Sequence, residues 1–236
     1  MSPVIHHGTP MTPRSALEAM AGRAFCVSFY RPDDVETVEK ISPKIMYDNG
    51  AFSFWKQAMR AGAEWDEAER DWRPYYDWLD VRLWEDGRWA VIPDRPGAPS
   101  QLNDALLKEW PFGTERGVPL WHMDGPISRL GKLCDRFDRV ALGWIGDPKK
   151  EPVGCDAYRR RMDEVSGLLG SSWHPIHMMR GVAVARDYPF RQRRQHFARA
   201  KRPSIRLARS PARHVHTVRS LGWSPQVRRP AGRSVA

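Results

Sequence analysis

Lys44-Ile-Met-Tyr-Asp48-Asn49-Gly50-Ala51-Phe52-Ser53 is an apolar run that halts at an acid, an amide and a glycine, with a helical pattern starting directly afterwards. A parallel β-strand handing its chain to a helix leaves this signature. In open α/β sheets and in (β/α)8 barrels, ligands gather just beyond the carboxyl ends of the strands. Arg88-Trp-Ala-Val-Ile-Pro-Asp94 ends in the same way. Two strands are therefore expected to aim Asp48 and Asp94 at one rim, and these acids are the first candidates for chemistry.

Outward from this pair the chain keeps alternating. Strands are expected at 25–29, 44–48, 88–94, 117–123, 139–145 and 175–179. Helices are expected at 12–20, 32–40, 54–59, 100–110, 126–137 and 156–169. A long aromatic-rich amphipathic segment from Glu64 to Leu83 carries Trp65, Trp72, Tyr75, Tyr76 and Trp78, with Pro74 marking a break. Strands alternating with helices of about ten residues mean βαβ units and parallel pairing. No GxGxxG turn and no GxxxxGK[ST] loop occurs, so neither nucleotide-binding signature favours an open sheet. The expected fold class is α/β, a (β/α)8 TIM-like barrel that is incomplete, since only six of its eight strands can be read.

The formal charge of +10 suggests a nucleic-acid partner until it is located. Residues 191–236 hold 12 Arg and one Lys without an acid, which leaves 25 bases against 28 acids in the remainder. The expected organisation is a barrel domain over 1–189 and a disordered, basic low-complexity tail over 190–236. Cys26, Cys134 and Cys155 are far apart and odd in number, so neither a disulfide framework nor a zinc motif is suggested. No apolar run approaches the ~20 residues that cross a bilayer, and the start lacks a signal-peptide core. A cytoplasmic protein is the expectation, with no membrane partner.

Around Asp48, the side chains of Asn49, Phe52 and Ser53 and the small Gly50 offer the donors, acceptors and stacking surface that a purine requires. A capping role for Asp48 ahead of the next helix is the competing structural reading. Trp121 and His122 end the fourth expected strand, where a histidine serves as acid, base or hydrogen-bond donor, or as a structural donor only. Gly143 ends the fifth, where a small residue lets backbone approach a ligand or simply makes a turn. His6 and His7 are adjacent on an extended segment and point to opposite faces, so no metal site and no cofactor is expected.

Taken in order, several short motifs resemble the DpdA-type proteins of phages and bacteria, relatives of the tRNA-guanine transglycosylases. They are His7-Gly8-Thr9-Pro10-Met11-Thr12-Pro13, Val27-Ser28-Phe29, Asp48-Asn49-Gly50-Ala51-Phe52-Ser53, Val91-Ile92-Pro93-Asp94, Val118-Pro119-Leu120-Trp121-His122 and Arg139-Val140-Ala141-Leu142-Gly143. The likeness spans about residues 5–189. It implies a pentosyltransferase on a TIM barrel that exchanges guanine in DNA for a 7-deazaguanine such as preQ0 by double displacement. DNA, the free 7-deazaguanine base, and preQ0-supplying or DNA-modification proteins are the implied partners. Asp48 and Asp94 are the implied catalytic pair, Asp48 assisting proton transfer and Asp94 reading the purine edge. Gly143 matches the glycine segment that lines the base pocket.

Two departures stand out. The transglycosylases' cysteine-rich zinc motif is absent, and the Ser-Ala-Asp-Ser-Thr segment that should hold the nucleophile does not follow Pro189. With suitable synonymous codons, Gln192 to Lys201 read in the neighbouring register would spell Ser-Ala-Asp-Ser-Thr-Ser-Leu-Ala-Arg-Asn. The expectation is a frameshifted or truncated member, catalytically impaired by loss of the nucleophile. Two alternatives from other classes stand beside it: a non-catalytic nucleic-acid-binding protein using the tail, and a barrel hydrolase with Asp48 and Asp94 as an acid pair.

Overall fold

The computed structural model describes residues 4–62, 71–147, 149–170, 174–184 and 187–188. Strand segments and helices alternate along them: β1 (His6–Gly8), α1 (Arg14–Glu18), β2 (Ala24–Ser28), α2 (Val35–Ile41), β3 (Lys44–Asp48), α3 (Ala51–Arg60), α4 (Arg73–Asp80), β4 (Arg88–Val91), α5 (Ser100–Glu109), β5 (Gly117–Val118), β6 (Leu120–His122), α6 (Ile127–Arg136), β7 (Val140–Gly143), α7 (Asp156–Leu169) and β8 (Ile176–Met178). A 3-10 turn follows at Val182–Val184. The protein is α/β with parallel sheets. The expected basic tail, the Ser-Ala-Asp-Ser-Thr position and Trp65 lie outside the described residues.

One sheet runs β1-β2-β3-β4-β5 and the other β6-β7-β8, with every pairing parallel. The expected single strand over 117–123 is divided at Pro119. Before it, the carbonyls of Arg116 and Val118 accept from Ala90 and Ile92 on the β4 side. From Pro119 onward the bonds go to β7: the Pro119 carbonyl accepts from Ala141 N, and Met123 N donates to Gly143 O. A residue without an N–H marks the point where this segment changes partner. The described residues do not show a complete barrel.

Strands with cover on both faces read as continuous apolar runs, which is what Ala24–Ser28 and Lys44–Asp48 display. Alternate side chains divide between two layers. Phe25, Val27, Ile45, Tyr47 and Ala90 pack with Leu17, Val38 and Leu79 from the helices. Met46, Trp89, Val91, Val118 and Ala141 point to the other face, with Cys26, Leu120 and Met179 beside them. A helix-side cluster built on Trp121, Leu130, Leu142 and Met162 extends the first layer over β6 to β8. On the helix-free face the rings of His6, Trp89 and His177 meet pairwise at 5.4, 5.3 and 5.1 Å. Residues of β1, β4 and β8, from both sheets, thus share one cluster.

Two expectations change. His6–Gly8 forms a strand that the sequence did not suggest, because two histidines and a glycine carry no apolar signal. Pro74, expected to mark a break, falls in the first turn of α4, where its missing N–H costs nothing, and the part of the expected segment over 63–70 lies outside the described residues. Among the described residues no helix is long and apolar enough to cross a membrane.

Candidate functional site

Strand alternation decides what reaches the cleft. Met46 faces the helix-free side, so Asp48, two residues on, does too. The same parity carries Cys26 to Ser28, Leu120 to His122 and Ala141 to Gly143. All of these positions lie at carboxyl ends of parallel strands. Of these, Cys26, Asp48, Leu120, His122 and Gly143 line one cleft of about 210 Å³, below the ordinary 300–1,000 Å³ of drug-sized pockets and so suited to a small ligand, while Ser28 is bonded to Asp48.

Asp48, Asn49, Phe52, Ser53, Asp94, His122 and Gly143 all line this cleft, which brings together seven of the nine residues singled out from sequence. Trp121 is not among them. Its neighbour His122 faces the cleft, so alternation turns Trp121 the other way, fully buried against α6 and α7, with Nε1 donating to the Pro126 carbonyl at 3.1 Å. Gly50 also sits behind the wall. It precedes α3 with φ +77°, and a Cβ there would lie 2.8 Å from Tyr30 Cβ. Its role is to turn the chain where no other residue fits.

The two acids are held very differently. Asp94, 5% exposed, receives Asn49 Nδ2 on Oδ1 at 2.9 Å and lies 2.9 Å from His122 Nε2 through Oδ2. Asn49 is itself fixed: Nδ2 also donates to the Ile92 carbonyl at 2.9 Å, and Oδ1 accepts from Ala51 N at 2.7 Å. Asp48 takes Ser28 Oγ at 2.9 Å and Gly50 N at 3.1 Å, both on Oδ2. Burial pushes the Asp48 carboxyl up to about 6, and the nearby Asp94 charge adds to this, while the bonds from Ser28 and Gly50 oppose it. Oδ1 of Asp48 has no hydrogen-bond partner among the described residues and is the oxygen open to a ligand.

The capping reading of Asp48 has a basis, since Gly50 N does bond to it, but α3 begins at Ala51 and the amide of Ala51 is capped by Asn49 instead. Capping and cleft-facing are divided between neighbours. Cys26 also borders the cleft, where burial and the Asp48 charge push its thiol far up, so it is not a thiolate nucleophile. Ser28, Met179 and Arg180 were missed from sequence. Ser28 was available from strand parity; Arg180 was not, because it follows a three-residue strand with no acid to mark its end. Among the described residues no group of three or more His, Cys, Asp or Glu is placed to hold a metal ion.

Comparison with protein-family models, with curated proteins and with solved structures returns no match for this chain.

Proposed function

We propose that the cleft binds a guanine-type base, such as a 7-deazaguanine, and that the chain is a DpdA-like relative of the base-exchanging transglycosylases that act on DNA. The observation that carries this reading is the unlike pair of strand-end carboxyls in one small cleft. Asp94 is locked by Asn49 and His122, and a carboxylate retains acceptor sites beyond two hydrogen bonds. It is suited to accepting the N–H groups on a purine edge. Asp48, with a pKa of about 6, is suited to delivering a proton. As a glycosidic C–N bond breaks, the bonding pair stays with the departing base, and a proton from Asp48 would neutralise it. Phe52 supplies an apolar ring at the wall, beside which a flipped base can lie.

A (β/α)8 barrel is the fold that this reading takes. Strands in strict chain order, all parallel and joined by right-handed crossovers, carry their helices on one face and must curl to cover the other. The meeting of His6, Trp89 and His177 from β1, β4 and β8 supports such curling. The nucleophile of the resembled family belongs to a later segment, and no Asp or Glu follows Asp187 in the chain. Recognition and protonation of the base are therefore proposed for these residues, and covalent exchange for the family. A carboxylate-pair hydrolase is less well supported, because an Asp94 held on both oxygens is poorly placed to attack a sugar.

Calorimetric titration with 7-cyano-7-deazaguanine tests the reading. Asp48→Ala and Asp94→Ala should each weaken binding by about tenfold or more, as removal of a buried polar partner does. If labelled guanine is exchanged into DNA, the rate should fall as pH rises past about 6, where Asp48 loses its proton. Binding that survives both substitutions undamaged would defeat the proposal.

A further inference from the structure

We infer that Arg180 makes this cleft a nucleotide site, its guanidinium receiving the phosphate that accompanies the base. The inference deepens the base-binding reading and rests on it. The segment is pinned on both sides of the residue: Met179 N donates to the Leu142 carbonyl at 3.1 Å, and Tyr158 Oη donates to the Arg180 carbonyl at 3.2 Å. Held there, the half-buried side chain forms part of the cleft wall, with its guanidinium carbon 4.2 Å from the centroid of the Phe52 ring. Lys56 Nζ lies 5.5 Å from the same ring, so Phe52 has two cations about it.

Two arginines buried more deeply than Arg180 are each met by acids. Arg88 is met by Glu39 and Glu85, and Arg129 by Asp104. Arg180 has no carboxylate partner among the described residues. The acids of the cleft are committed elsewhere, Asp94 to Asn49 and His122, and Asp48 through Oδ2 to Ser28 and Gly50. Desolvation lowers the Arg180 pKa, and no counter-charge offsets it. Withdrawing part of a cation from water without an anion carries a cost, and that cost is recovered when a ligand brings the anion. A planar fork of N–H donors matches two phosphate oxygens at once. The ring of Phe52 supports the guanidinium face while leaving its edge donors free. A base entering beside Phe52 would carry its sugar phosphate within reach of this edge.

The test is titration of the full chain with 2′-deoxyguanosine, with its 5′-monophosphate, and with a short guanine-containing single-stranded oligonucleotide. Wild type should bind a phosphate-bearing ligand about tenfold tighter than the nucleoside, the scale of a charge-assisted bidentate contact. Arg180→Gln should bring that ratio to within about twofold of unity, and Arg180→Lys, which keeps the charge without the fork, should retain part of it. Loss in the monophosphate arm identifies a terminal phosphate as the ligand; loss confined to the oligonucleotide arm identifies an internucleotide phosphate. A wild-type ratio near one in both arms, or a ratio that Arg180→Gln leaves intact, overturns the inference. Thermal melts of both variants separate lost contact from lost fold, and if the glutamine variant unfolds, the partial loss in the lysine variant decides. Should adenine and thymine nucleotides bind as tightly as guanine with the same dependence on Arg180, the phosphate subsite stands and the guanine reading falls.

Discussion

Asn49 carries more of the site than either acid, because one amide serves three partners: the Ile92 carbonyl, the Asp94 carboxylate and the Ala51 amide. Asn49 is 2% exposed and its partners are buried too. Asn49→Ala should therefore cost about 2–4 kcal/mol of stability, the sum of lost bonds and stranded buried groups. Urea denaturation of the two proteins checks the figure, and a loss below about 1 kcal/mol would show that Asp94 is held without it. At this scale much of the site was legible, since Asp48, Asn49 and Asp94 announce themselves where apolar runs stop. Alternation would also have separated Trp121 from His122, which cannot face the same way on one strand. What could not be read was Arg180, because a cation next to an aromatic ring is made by the fold, and Phe52 lies 128 positions away in the chain.

The element that opens the cleft is α4. The β3–β4 ladder registers Ile45 with Arg88, Met46 with Trp89 and Tyr47 with Ala90, and goes no further. Beyond that point the ladder stops and only the Asn49 side chain crosses to Ile92 and Asp94, which leaves carbonyls to be satisfied in a buried setting. Tyr75 of α4 reaches into the gap, and its hydroxyl meets the Tyr47 carbonyl at 3.2 Å and the Val91 carbonyl at 2.9 Å. Asp48 and Asp94 follow directly from the strands so held apart. Tyr75→Phe keeps the ring and removes only the donor, so it should destabilise by about 1–3 kcal/mol and also weaken ligand binding. Stability loss without any change in the cleft's affinity would mean that the strands part for another reason. Helix positions were readable from periodicity, α7 at 156–169 among them, whereas β1 was not, being three residues recognisable only by their pairing with Ala24, Phe25 and Cys26.

Across the whole molecule, the carboxyl ends of the strands and the buried ring cluster on the helix-free face answer oppositely to pH. Asp48 has a folded pKa raised to about 6, so the folded state holds a proton that the unfolded chain releases near 4. Its contribution is fully present at low pH and is lost as pH rises through about 6. His6 is lowered to about 4, mainly by burial and next by Arg139, and both its ring nitrogens are buried without a partner among the described residues. His177, against the same ring cluster, is also lowered, by burial first and then by His6 and Arg139. For the histidines the unfolded chain takes up protons first, so stability is retained above about 6.5 and lost as pH falls below it. Between about pH 4 and 6 Asp48 therefore opposes the histidines, His174 among them, which burial also lowers. Asp48→Asn removes the opposing group. That variant should be more stable than wild type at pH 7, by at most about 3 kcal/mol, and its stability should climb more steeply through pH 4–6. Urea midpoints at half-unit intervals measure both slopes. Parallel curves for the two proteins would show that the Asp48 carboxyl titrates as an ordinary surface acid, and the proton-delivering role assigned to it would go with that result.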